Sequence, residues 1–98
     1  NLKPQFTGYD LSLAANLIHK KAEPFLVTVD PKAAGTPVET NSHPGQEFDY
    51  VLEGVLKVVI HDQEIVLHAG DSLFFDSNHA HGMQAVGDRP CRFLAVIL

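Results

Sequence analysis

Apolar and polar residues alternate along much of the chain, in short runs cut by Gly, Asp and Pro. In Glu64–His68, Ile65 and Leu67 fall on one side of an extended strand and Val66 on the other, because successive strand side chains face opposite ways. Phe25–Val29 (Phe-Leu-Val-Thr-Val) is a β-branched run closed by Asp30-Pro31, which predicts a strand ending in a turn. The same reading predicts strands over Glu47–Leu52, Val55–His61, Glu64–His68, Ser72–Phe75, His79–Val86 and Arg92–Leu98. The breaks are a tight turn at Glu53-Gly54, a turn at Asp62-Gln63, Ala69-Gly70-Asp71, Asp76-Ser77-Asn78 and Gly87-Asp88-Arg89-Pro90. Val55–His61 is almost wholly apolar, which suits a strand buried on both faces or pairing across an interface. Upstream, Leu11 and Leu13 alternate with polar neighbours, so Leu11–Lys20 suggests an edge strand, although its Ala-rich centre leaves a short helix open. Glu23-Pro24 should break that segment. Residues 1–10 make a loose lead-in and residues 31–42 a Pro/Gly/Ala/Thr-rich loop. Strands at this spacing with such turns predict an all-β barrel or sandwich.

Composition narrows the reading. The chain has 98 residues, one domain at most, with residues 11–98 as its barrel. Apolar residues make up 45%, as in a globular chain. The net charge of −5 argues against gripping phosphate backbones by charge. The single cysteine, Cys91, excludes an internal disulfide and fits a reducing cytosol. No apolar run reaches the ~18 residues of a membrane span, and no basic-then-apolar leader opens the chain. The first residue is not Met, as in a processed protein or a fragment of a longer one.

Candidate chemistry gathers in two stretches, Asn41–Gly54 and Gly70–Gly82, which hold three of the six histidines. Asn41, His43 and Glu47 share strand parity, so they converge inside a barrel if the Pro44-Gly45 kink keeps the phase; His79 and His81 also share parity. Imidazoles and a carboxylate on one inner face suit a divalent metal. Tyr50, Phe75 and Met83 are candidates to line a ligand pocket, with Tyr50 supplying a hydroxyl; Phe75, Phe48 and Phe74 equally suit a core. Asp49 and Glu53 share parity with Glu47, but their place beside the turn suggests solvent. His19, His61 and His68 read as surface residues. No Ser-His-Asp spacing, P-loop or Gly-rich dinucleotide motif is present.

The two stretches resemble the paired motifs of the cupin family. His43, Glu47 and Gly54 match its first motif, with Asn41 where a first His would stand. Gly70 and His81 match the second in spacing, with Asp76 and Asn78 replacing its Pro and Gly. The resemblance implies an all-β, double-stranded β-helix, the cupin jelly-roll barrel. It also implies metal ligands at His43, Glu47 and His81, with Asn41 or His79 as further ligands. Such a set takes iron(II), manganese, nickel or zinc. It would leave the site near a +1 charge that attracts an anionic or enolate-like ligand. A metal-free barrel, with His43 and His81 bonded to each other or to an organic ligand, is the alternative.

Glu23–Val29, Pro44–Gly54 and Gly70–Ser77 further resemble the cupin domains fused behind a helix-turn-helix in Xre-type transcription regulators. That likeness implies a cytoplasmic, homodimeric sensor of a small-molecule effector rather than an enzyme. DNA would be read by a separate domain, and no membrane would be involved. Val55–Ile60 and Leu11–Lys20 would be the edges paired between subunits. The alternative is a stand-alone metalloenzyme, a dioxygenase or isomerase, using the metal as a Lewis acid.

Overall fold

The computed structural model describes residues 9–12 and 21–98. Eight strands run in chain order as β1 Tyr9–Ser12, β2 Glu23–Val29, β3 Gln46–Glu53, β4 Val55–Ile60, β5 Gln63–His68, β6 Ser72–Asp76, β7 His81–Ala85 and β8 Cys91–Ile97. They form a five-stranded sheet ordered β1-β2-β8-β3-β6 and a three-stranded sheet ordered β5-β4-β7. All pairings between these strands are antiparallel. The all-β expectation holds: there is no helix among the described residues, and hence none long and apolar enough to cross a membrane.

The two sheets face each other across one core. Phe25, Val27 and Val29 from β2, Val51 from β3 and Phe93 and Ala95 from β8 meet Leu56 and Val58 from β4, Leu67 from β5 and Met83 from β7. These are the alternate positions of each strand, as a two-layer β fold requires. Ile65 and Leu67 turn inward and Val66 outward, as their alternation predicts.

Several expectations are corrected. Glu53-Gly54 is not the turn of a hairpin, because β3 and β4 lie in different sheets. Gly54, at φ 84°, carries the chain round a corner where a side chain would press on the Pro90 carbonyl, 2.6 Å from a built Cβ. Only glycine meets both demands cheaply. The β4–β5 turn is His61-Asp62, one residue earlier than expected, with Ile60 opposite Gln63. Glu23 and Pro24 belong to β2 instead of breaking the chain, opposite Ile97 and Val96. β7 starts at His81, not His79. Val55–Ile60 is the middle strand of its sheet, hydrogen-bonded to β5 and β7, so it has no free edge. It is also not buried on both faces, since Val55, Lys57 and Val59 are half-buried. Tyr9 and Asp10 stand in β1, not in a lead-in. Of Leu11–Lys20, Leu11 and Ser12 lie in the edge strand β1; residues 13–20, including His19, and residues 1–8 fall outside the described residues.

Candidate metal centre

One end of the barrel collects the start of β3, the end of β6, the start of β7 and the end of β4, through the pairs Glu47 with Phe75 and Ile60 with His81. The inner face of β3 passes from polar to apolar away from that mouth: Glu47, then Asp49, then Val51, all fully buried. His43 arrives on the segment before β3. The Pro44-Gly45 kink is clamped to the β6–β7 loop by two backbone hydrogen bonds, His43 N–H to the Ser77 carbonyl (2.9 Å) and Ser77 N–H to the Gly45 carbonyl (3.1 Å). His81 is held on both flanks. Ile60 pairs with it across β4, and Asn41 exchanges two backbone hydrogen bonds with it, both 2.8 Å. Gly82 makes this strap fit, because a Cβ there would run into the Glu39 carbonyl and the Val38 side chain.

Three side chains converge. His43 Nε2 lies 3.0 Å and His81 Nε2 3.5 Å from the same oxygen, Glu47 Oε1. The three donor atoms all fall within 4.8 Å of one another, and this is the only such cluster of His, Cys, Asp or Glu among the described residues. The outer ring nitrogens fix the tautomers. His81 Nδ1–H donates to the His79 carbonyl (2.8 Å), and His43 Nδ1–H donates to the Pro44 carbonyl (3.3 Å). A neutral imidazole so arranged turns its Nε2 lone pair inward. Two lone pairs and a carboxylate oxygen then face one point, and only a positive charge between them, a proton or a metal ion, makes that stable. Glu47 Oε2 is buried without a hydrogen-bond partner. The donor set, two nitrogens and a carboxylate, fits a divalent transition metal.

Electrostatics follow the geometry. Burial pushes the Glu47 carboxyl up, but its hydrogen bonds with His43 and His81 outweigh this and bring it down to about 2. Burial works against the charged form of His81, yet the Glu47 and His79 contacts leave it above its ordinary value. Asp49 goes the other way: burial first, then the negative charge of Glu47, hold it well above the usual carboxylate range. Neither Asp49 oxygen has a hydrogen bond of normal geometry.

The remaining candidates are distributed as follows. Phe75 sits opposite Glu47 with its ring 4.9 Å from that of His81, forming a wall of the centre. Met83 lies two residues beyond His81 on the same inner face, within the core. Asn41 stands beside His81 but is solvent-exposed. Tyr50 is on the outer face of β3 and does not approach the centre. His79 is outside it as well, its Nδ1 2.7 Å from His61 Nε2. Asp49 is the residue that sequence reasoning sent to solvent. Its parity with Glu47 and Val51 was the available signal, and it outweighs nearness to the turn. Glu53 is exposed, as expected.

Comparison with known proteins agrees with this architecture. The chain is 34% identical over 89 residues to the oxalate-binding protein of Thermotoga maritima, across 88% of this chain and 70% of that protein. The iron(II) form of HppE in complex with substrate superposes with a TM-score of 0.71 at 29% identity, covering 79% of this chain and 45% of that one. An HTH_3 family transcriptional regulator from Vibrio cholerae gives a TM-score of 0.73 at 25% identity over 90% of this chain and 48% of that one. The chain thus spans less than half the length of either of these two proteins. The Cupin_2 domain of an XRE family regulator from Enterobacter cloacae gives a TM-score of 0.77, covering 91% of this chain and 93% of that one; at 18% identity it shows the fold alone. Residues 25–97 match the Cupin_2 family model, a cupin domain, and with two facing sheets around a polar mouth, this chain belongs to the cupin domain family.

Proposed function

We propose that this cupin domain binds a divalent metal ion through His43, Glu47 and His81 and, at that ion, a small anionic ligand. In this reading it is the effector-sensing, dimerising part of a cytoplasmic helix-turn-helix regulator. The convergence of two imidazole lone pairs on one carboxylate oxygen carries the metal assignment. Likeness to an oxalate-binding protein supports a small carboxylate as ligand, and likeness to an HTH_3 regulator supports the sensing role. The bound ion would supply a positive charge for that ligand. Phe75 and His81 would wall the ligand, and the Asn41 amide stands at the rim within the same strap.

The test is reconstitution with iron(II), manganese, nickel or zinc, followed by elemental analysis. About one tightly held ion per chain is expected, with affinity falling roughly a hundredfold or more in His81→Ala, since a chelating arm is lost. A protein that stays metal-free after each reconstitution would sink the metal part of this reading.

Likeness to iron(II) HppE favours a second reading, a metalloenzyme. Asp49 is the only further acid on the inner face of β3, and it is fully buried away from the mouth. The sensing role therefore stands first. Turnover of a bound carboxylate by the metal-loaded protein would reverse that order.

A further inference from the structure

We propose a second metal site, built by His61 and His79 on the outer rim at the same end of the barrel, for a borderline divalent ion such as Cu²⁺, Ni²⁺ or Zn²⁺. The two residues are 18 apart in sequence, and the β4–β5 turn and the β6–β7 loop bring them together. His61 Nε2 and His79 Nδ1 are 2.7 Å apart, with ring centroids at 4.4 Å and planes tilted by 52°. Both rings are solvent-exposed. As neutral imidazoles they share one proton across that gap, one nitrogen donating and the other accepting. When an ion enters the gap, the donating ring switches tautomer, its proton moving by way of solvent to that ring's other nitrogen, and both lone pairs then face the metal. Metal–nitrogen bonds of about 2.0–2.1 Å at ordinary coordination angles need nitrogens roughly 3 Å apart, so the rings part by only a few tenths of an ångström.

The backbone holds the pair ready. His61 N–H donates to the Ala80 carbonyl (2.9 Å), and His79 N–H donates to the Asp76 carbonyl (3.3 Å). His61 is also the one non-glycine at positive φ (55°) among the described residues. A side chain there costs energy that glycine would not, so the chain keeps an imidazole where the backbone favours none. No carboxylate joins the pair in a ligand cluster. An all-nitrogen pair with water completing the shell suits copper, nickel or zinc and disfavours calcium or magnesium. The rim pair shares no ligand atom with the inner centre; its link is the His79 carbonyl, which accepts from His81 Nδ1.

The test titrates the full chain with Cu²⁺ and with Zn²⁺, by calorimetry against a competing chelator. Beyond any ion held by the inner centre, a weaker class of binding is expected. His61→Gly, which relieves the backbone while deleting the ligand, should weaken that class roughly a hundredfold or more by removing the chelate. It should leave thermal stability equal or higher. His79→Ala should weaken it similarly, and His68→Ala, an exposed histidine outside the pair, should not change it. In Glu47→Gln the rim class should persist, so failure of the inner centre and failure of this site are separable. Nitrogen-15 spectra should shift at His61 Nε2 and His79 Nδ1 on adding Zn²⁺. Isotherms unchanged by His61→Gly, or no ion bound beyond the inner centre, would overturn the proposal.

Discussion

At the scale of single residues, Glu47 and Asp49 divide one buried acidic environment. Two positions apart on the same face, they are pushed in opposite directions. The folded Glu47 carboxyl lies below its ordinary 4.5, so its contribution to the stability of the metal-free protein is complete above that pH and is lost as pH falls toward about 2. Asp49 has the reverse sign. From its ordinary value of 3.8 upward, the unfolded chain gives up the proton that the fold retains, so rising pH costs stability until Asp49 ionises in place. Asp49→Asn removes that penalty with a neutral side chain of nearly the same shape. Its denaturation midpoint should exceed that of the parent at mildly alkaline pH, and the gap should close toward acid. A gain of about 1 kcal/mol would move the thermal midpoint by roughly 4–8 °C. A variant with the parent's pH profile would count against a protonated Asp49.

At the scale of elements, the strap through Asn41 is what fixes His81. Gly82→Ala drives a methyl group into the Glu39 carbonyl, so the strap must lift and the paired Asn41 and His81 amides must open. Hydrogen exchange at those two amides should speed up, and metal affinity should drop with His81 still present. The strands themselves were legible. Alternation in Glu64–His68 and the β-branched run at Phe25–Val29 gave their faces, and the Gly- and Asp-rich breaks gave their ends to within a residue or two. The partition into two sheets was not legible at Gly54. A glycine corner between sheets and a glycine hairpin turn leave the same local signature, and pairing partners are set by distant residues. Val55–Ile60 misled for a related reason. Its unbroken apolar run reflects a central strand with Leu56 and Val58 inward and half-covered valines outward. Three of the centre's residues were legible through motif spacing. The His61–His79 pair was not, because no local pattern connects residues joined only by the fold.

At the scale of the whole molecule, one core carries the stability. Phe93 is fully buried between the sheets, and Phe93→Ala should cost about 3–5 kcal/mol, a large share of the roughly 5–15 kcal/mol available to a domain. Urea denaturation would read it directly. Part of the outer face of the five-stranded sheet is apolar where a solvated face should be polar. Two rows cross it, Leu26-Leu94-Tyr50 and Pro24-Val96-Phe48-Phe74. Phe74 is 59% exposed and stacked edge-on with Phe48 at 6.1 Å. With a net charge of −5 on the whole chain, these two uncharged rows are where a second copy can approach with least repulsion. Sedimentation should show a homodimer that Phe74→Asp dissociates; a parent protein sedimenting as a monomer would refute this interface.

The order of the five-stranded sheet also dictates when it can exist. Its middle strand, β8, is the last of the eight to be synthesised, and both β2 and β3 bind to it while neither binds the other. During translation the earlier half of that layer must wait, unzipped, with Phe25 and Val27 uncovered, until Cys91–Ile97 leaves the ribosome. A chain stopped short of β8 can complete the three-stranded sheet, but its other layer is left as two separate pairs, β1-β2 and β3-β6, and it would present a nascent-chain chaperone with a loose pair of flaps.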